Sequence, residues 1–421
     1  MRHNQVSTFV GQDQAAKSKS AVIYKILVAS IFFFAPLGQA IVYYSEAPVA
    51  PHIILTALAF VLGLSLASRI IKPHLSIVLY VLLVTYLFFV TVFVAHLPGY
   101  ADWGLNESVR RLLLIAPALA ASLLVTRSSR DGDNEFYIKA FVLGVGISVL
   151  IALHLFYQGE VFWRGRLASS PEQNPAIFGA YIAAALIFVL GFHQKLNLSR
   201  STQIVVSSAL VVALVMTQAR NSILAITVSG LIAVLLIHRK RLPSPRRIVN
   251  ASGLVLALTG VLFFSISREL IPEQYYARLL LTLTTDDAHL ATAGRSTIWA
   301  TYFDWGVSVF GYGIESDAYL ALSGGRWIRS STHNSYLNLL VTGGVIGLVV
   351  FLLFYGAIVY RSLRTGPEIR FGMVWLAWFL VLIALGNDTY ANAIFWIPFA
   401  IWAGFEISDR KRVARNRTDQ C

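Results

Sequence analysis

The chain has 421 residues, 57% of them apolar and 13% charged, with a formal net charge of +13. That charged share is about half the value usual for soluble domains, which excludes an ordinary soluble fold, and repeated apolar runs of about 17–25 residues fit helices crossing a ~30 Å hydrocarbon core. The short alternating segments of a transmembrane β-barrel are not visible, and the single cysteine, Cys421, excludes an intramolecular disulfide and a thiolate metal site.

In chain order, residues 1–21 are polar, carry Lys17 and Lys19, and read as a cytoplasmic tail. The first apolar run has no clear small-residue cleavage site and reads as a retained span. The apolar runs predict about twelve spans, near 22–45, 51–68, 75–96, 109–126, 136–157, 175–193, 203–219, 221–238, 250–267, 334–360, 371–386 and 389–407. Pro51, Pro73, Pro98, Pro171, Pro175, Pro243, Pro245 and Pro367 fall in links or at span starts. The expected fold class is therefore an all-α polytopic membrane protein. Transmembrane helices 1–9 cover 22–267 and helices 10–12 cover 334–407. A large helical outer loop spans 268–333, and 408–421 form a short basic tail.

Charge orients this arrangement. With the N-terminus inside, the cytoplasmic segments carry Arg69, Lys72, Arg127, Arg130, Lys195, Arg200, Arg239, Lys240, Arg241, Arg246 and Arg247. Arg361, Arg364, Arg370 and the tail residues Arg410, Lys411, Arg412, Arg415 and Arg417 complete that side. This is the positive-inside pattern, and an even number of spans leaves both termini inside and the 268–333 loop outside. The basic residues left outside are all arginine: Arg110, Arg111, Arg164, Arg166, Arg220, Arg268, Arg278, Arg295, Arg326 and Arg329. Arginines that oppose the topology signal call for a reason. A guanidinium grips phosphate through two parallel hydrogen bonds and keeps its charge, so the set points to anion binding; the plain alternative is ordinary ion pairing with loop carboxylates.

Several marks carry chemistry. Trp163-Arg164-Gly165-Arg166 is an outer basic–aromatic spot. Thr217-Gln218-Ala219-Arg220-Asn221-Ser222 breaks two apolar runs with almost no loop, which puts Arg220 at or just below the outer surface. Ionisable groups at such depth usually face a pocket or a partner; the alternative is snorkelling to headgroups. Thr292 or Gly294 can open a short helix with Arg295 near its N-terminus, where free N–H groups add to the arginine in holding an anion. Trp299, Tyr302, Phe303 and Trp305 suit an interfacial helix, and Trp299 can also stack on a sugar ring. Gly311 and Gly313 allow a tight turn back to the membrane.

His333-Asn334 sits at the lip of the next span. A neutral imidazole there can take the proton of an attacking hydroxyl, or it can merely cap a helix. Asn334, Ser335 or Thr332 supplies a cap in either case. Asp286-Asp287-x-His289 is a weak metal pattern, and no metal or other cofactor is expected. Asp388, between the last two spans, can orient a histidine or a basic partner. No Gly-x-x-x-x-Gly-Lys-Ser/Thr occurs, so ATP-driven transport has no engine in this sequence.

At these residues the chain resembles the O-antigen ligase and polymerase superfamily of bacterial inner membranes. The resemblance rests on Thr-Gln-Ala-Arg ending at Arg220, Gly-Arg-x-x-x-Trp leading to Gly-Tyr-Gly (Gly294 to Gly313), and His-Asn-Ser-Tyr-Leu followed by Gly-Gly-x-x-Gly (His333 to Gly347). It covers roughly residues 205 to 350, and one departure is Asn221, where members often have glycine. It implies a membrane glycosyltransferase that moves O-antigen polysaccharide from undecaprenyl diphosphate to a sugar hydroxyl of the lipid A core, on the periplasmic face of the inner membrane. His333 is then the expected catalytic base. Arg220, Arg295, Arg164 and Arg166 are the expected diphosphate-binding residues, with Asn334, Asp388 and Trp299 in support. The nearest alternative is a polymerase that uses a second lipid-linked glycan as acceptor. An exporter of anionic lipid is the alternative from a different class.

Overall fold

The computed structural model describes residues 22–46, 49–65, 75–95, 133–160, 166–171, 173–238, 295–304, 307–313, 319–322, 326–329, 333–387 and 393–418. The elements in order are α1 (Val22–Phe34), α2 (Gly38–Ser45), α3 (Pro51–Ser65), α4 (Leu75–Ala95), α5 (Asp133–Tyr157), α6 (Pro175–Gly191), α7 (His193–Leu196), α8 (Arg200–Met216) and α9 (Arg220–His238). After these come α10 (Arg295–Asp304), strands β1 (Tyr319–Leu322) and β2 (Arg326–Arg329), α11 (Ser335–Thr342), α12 (Gly344–Ser362), α13 (Pro367–Ile383) and α14 (Ala393–Thr418).

Among the described residues, four helices are long and apolar enough to cross a membrane: Leu75–Phe93, Asp133–Tyr157, Arg220–Ile237 and Gly344–Ser362. The bent pair α1–α2 brings the number to five, and α6 and α8 are shorter apolar helices. The expected spans at 109–126 and 250–267 lie outside the described residues, so the expected count of twelve is not reached here. The chain is thus a helical membrane protein. Its described non-helical pairing is one antiparallel hairpin in the expected helical loop, with Tyr319 opposite Arg329 and Leu322 opposite Arg326.

Two spans expected to be continuous are broken. The 22–45 run bends by 77° between α1 and α2. Pro36 lies in that break, and its carbonyl accepts from Ser148 Oγ at 3.2 Å, so the interrupted backbone finds a side-chain donor. The 334–360 run splits at Gly343–Gly344 into α11 and α12. The last helix, in contrast, runs past residue 407 to Thr418, through the expected basic tail.

α6 is the central post. Asn174 caps it by accepting from Ala176 N at 2.9 Å, and Pro175 fills its first position, where a missing N–H costs nothing. It is apolar and buried nearly all round, as expected of a helix inside a bundle. Its Gly179 leaves room for the Thr217–Ala219 corner, since a Cβ there would stand 2.8 Å from Thr217 Oγ1. The same core continues through α4, α11, α12 and α14 by aromatic rings. Tyr80 lies 5.6 Å from Phe354 and 6.1 Å from Phe395, and Tyr336 lies 5.5 Å from Phe351. Such pairs add roughly 0.5–1.5 kcal/mol each beyond their burial, which matters in lipid, where apolar burial alone gives little drive for helices to associate.

The two ends of the bundle differ. At one end Lys25 Nζ meets Asp133 at 2.7 Å, Lys195 meets Glu368 at 2.8 Å and Arg361 meets Glu406 at 3.1 Å. Gly366 N also donates to Asp409 there. Each tie joins segments that the charge pattern puts on the lysine-bearing side. The other end gathers the arginine and histidine marks.

Candidate functional site

At that other end, α13 finishes in the corner Ile383–Asn387, and several separate stretches of chain converge on it. Asn221 Nδ2 donates to Ile383 O at 3.1 Å, one residue after Arg220 opens α9. Arg295 Nη1, at the start of α10, donates to Gly386 O at 3.0 Å. Ser335 N donates to Ala384 O at 2.8 Å, and its Oγ donates to Asn387 O at 2.7 Å. The corner's carbonyls thus tie down the N-terminal ends of α9, α10 and α11. A fourth stretch joins from the side: Arg166 Nε donates to Thr217 O at 2.9 Å, and Leu167 N donates to Met216 O at 3.0 Å.

The approaches to α9 and α11 share one local form. Gln218 has φ of 50° and His333 has φ of 51°, each two residues before its helix begins. Left-handed backbone is uncommon for residues with a Cβ, though polar residues tolerate it best. Here it turns each chain sharply into a helix N-terminus. Thr217 Oγ1 accepts from Ala219 N at 3.2 Å before α9. Asn334 caps α11, accepting from Tyr336 N at 3.0 Å and Leu337 N at 3.1 Å. The Asn334 cap satisfies N–H groups that a helix start leaves unpaired, whereas the first N–H of α9, that of Arg220, donates to Gln218 O at 3.0 Å.

α10 is placed by packing. Tyr302, 2% exposed, seats against Leu337 and Val341 of α11, with Ile298, Trp299, Tyr312 and Leu340 around it. The segment after α10 then crosses the α11–α12 break. Tyr312 N and Gly313 N donate to Val341 O and Thr342 O, both at 2.9 Å, while Val345 N donates back to Ser308 O at 3.1 Å. Tyr86 of α4 fixes the same segment by donating its hydroxyl to Phe310 O at 2.9 Å. Gly311 (φ 85°) and Gly344 (φ 64°) lie back to back at the crossing. Each takes a conformation that glycine adopts without cost, and a Cβ on Gly344 would stand 2.5 Å from Gly311 N.

Of the residues singled out in the sequence, the structure brings the stretches bearing Arg220, Arg295, His333 and Asn334 to one corner, and it ties Arg166 to Thr217, ahead of α9. Arg164, Asp388, Asp286, Asp287 and His289 lie outside the described residues. Trp299 is half-buried and packs with the Tyr302 cluster. Among the described residues, no group of three or more His, Cys, Asp or Glu could hold a metal ion. Sequence reasoning missed the corner itself. Gly386, Asn387 and the bridging role of Ser335 carried no signal beyond a short Gly-Asn-Asp link between two spans.

Fold and site together define a class: a polytopic helical membrane protein whose arginine and histidine marks collect at one end of the bundle. Residues 204–352 match the family model described as O-antigen ligase. The matched stretch runs from α8 into α12 and contains Arg220, Arg295 and His333. No curated protein gives a significant match to the chain.

Proposed function

We propose that the protein is an O-antigen ligase, a membrane glycosyltransferase that moves a sugar polymer from undecaprenyl diphosphate to a hydroxyl of the lipid A core. The reaction takes place on the periplasmic face of the bacterial inner membrane, with both chain termini in the cytoplasm. The observation that carries this reading is the convergence of the Arg220, Arg295 and His333 stretches on Ile383–Asn387, within the matched family domain.

The leaving group is a lipid diphosphate. As the bond from the anomeric carbon to the phosphate oxygen breaks, its electron pair passes to the diphosphate. Arg220 and Arg295 hold that charge, with Arg166 and Arg164 adding to it. Charge-assisted hydrogen bonds contribute roughly 1.5–3 kcal/mol each, and more where they strengthen in the transition state. His333 takes the proton of the acceptor hydroxyl, whose oxygen forms the new bond to the anomeric carbon. With no carboxylate nucleophile assigned, the transfer is a single displacement that inverts the anomeric centre. No metal or cofactor takes part. Asn334 supports the histidine as the cap of the following helix, Asp388 is the carboxylate assigned to orient it, and Trp299 offers a ring to a sugar.

The test is a comparison of variants in detergent. Arg220→Ala and Arg295→Ala should each lower kcat/KM by at least tenfold, the loss of roughly 1.4 kcal/mol of transition-state stabilisation. His333→Ala should abolish transfer at unchanged protein yield. Near-normal transfer by His333→Ala would remove the base assignment.

A further inference from the structure

We infer that Asn221 is a positioning residue for the anion-holding arginines, and that Gly386 lacks a side chain in order to admit it. The inference rests on the ligase reading for its consequence, though not for its geometry. Asn221 follows Arg220 directly and lies in the first turn of α9. Its amide Nδ2 donates at 3.1 Å to Ile383 O, a carbonyl at the end of α13 that also accepts from Gly386 N at 3.3 Å. Three residues on, Gly386 O receives Arg295 Nη1 at 3.0 Å. One short corner therefore sets Arg220 and Arg295 relative to each other, and Asn221 is the side chain that binds the Arg220 side to it.

The glycine completes the argument. A Cβ on Gly386 would stand 2.5 Å from both Nδ2 and Oδ1 of Asn221, closer than real Cβ atoms approach anything. Gly386 is not among the glycines with positive φ, so its backbone would accept alanine, and what stands in the way is the Asn221 amide. A methyl group there must expel the Asn221 amide and break its bond to Ile383 O. Replacing either residue thus removes the same link. Replacing both should do no more than replacing one, because glycine at position 221 vacates the space that the methyl group needs.

The experiment is a double-mutant cycle on the full-length protein in detergent, with Asn221→Gly, Gly386→Ala, the double variant and Asn221→Asp. Melting temperature, donor KM and kcat are measured for each with a lipid-diphosphate-linked glycan. Asn221→Asp keeps the side chain's shape, removes the N–H donor and adds a negative charge beside Arg220, so its donor KM should rise at least as far as that of Asn221→Gly. Each single variant should raise donor KM by about fivefold, the factor that one net hydrogen bond represents, with kcat changed less than twofold. The double variant should match Asn221→Gly in both KM and melting temperature. Additive effects would overturn the inference, as would a fall in melting temperature with donor KM unchanged. A wild type that transfers no glycan and gains no thermal stability from farnesyl diphosphate would sink the ligase reading. The melting cycle would still decide the coupling, with additivity refuting it.

Discussion

Gly344→Ala should unfasten the crossing that holds the site together. The mutation acts twice at one position. Gly344 has φ of 64°, and a residue with a Cβ pays roughly 1–2 kcal/mol to stay in left-handed backbone. The new Cβ would also stand 2.5 Å from Gly311 N and press on Val309 O. These are backbone atoms, so relief requires the 307–313 segment to move; overpacking of this kind costs about 1–3 kcal/mol. The sum is about 2–5 kcal/mol, which for a chain of this length corresponds to a fall in melting temperature on the order of 2–6 °C. A displaced segment also loses the bonds from Tyr312 N and Gly313 N, and with them the seat of α10 and the placement of Arg295. Gly356 on α12 is the control, because a Cβ there meets nothing within 4 Å; Gly356→Ala should melt no lower than wild type, since alanine favours helix. Thermal unfolding in detergent, followed by tryptophan fluorescence, reads both variants. A Gly344→Ala protein that melts with the wild type would refute the reasoning about this crossing.

Other perturbations separate stability from chemistry. Asn334→Ala removes a cap that serves two N–H groups and should cost about 1 kcal/mol of stability; an unchanged melting temperature would show that the cap is not needed. Arg361→Ala takes the guanidinium from Glu406, whose side chain is 4% exposed, and should cost about 3–5 kcal/mol. Glu406→Gln should cost clearly less in the same melting assay, because the charge it leaves, on Arg361, is 22% exposed and reaches water, and the glutamine keeps an acceptor oxygen. Both substitutions lie at the opposite end of the bundle from the site, so protein that stays folded should keep its donor KM.

Much of the fold was legible as apolar runs, because a helix in lipid must satisfy its own backbone and so announces itself by length. Edges and breaks were less so. The 334–360 run looks continuous because glycine pairs in a membrane helix commonly mark close packing, whereas Gly343–Gly344 mark a break stabilised by Ser308 O and neighbouring carbonyls 30 or more residues away in sequence. The bend after α1 is similar, since the donor that accommodates it is Ser148 of α5. The individual polar marks stood out because arginine and histidine are rare beside apolar runs. Their meeting place did not. It is made of backbone carbonyls at Ile383, Ala384, Gly386 and Asn387, and a carbonyl has no signature in a sequence. Asn221 stood out only as a departure from glycine; its bond to Ile383 O gives that departure a physical reason.

The central claim is glycan transfer, and one reconstitution tests it most directly. Purified protein is incubated with undecaprenyl-diphosphate-linked O-antigen and rough lipopolysaccharide in the presence of EDTA, beside His333→Ala. The account predicts a ladder of capped lipopolysaccharide with the wild type and none with His333→Ala. Longer lipid-linked chains formed when lipopolysaccharide is left out, with no capped ladder when it is present, would contradict it and make the protein a polymerase.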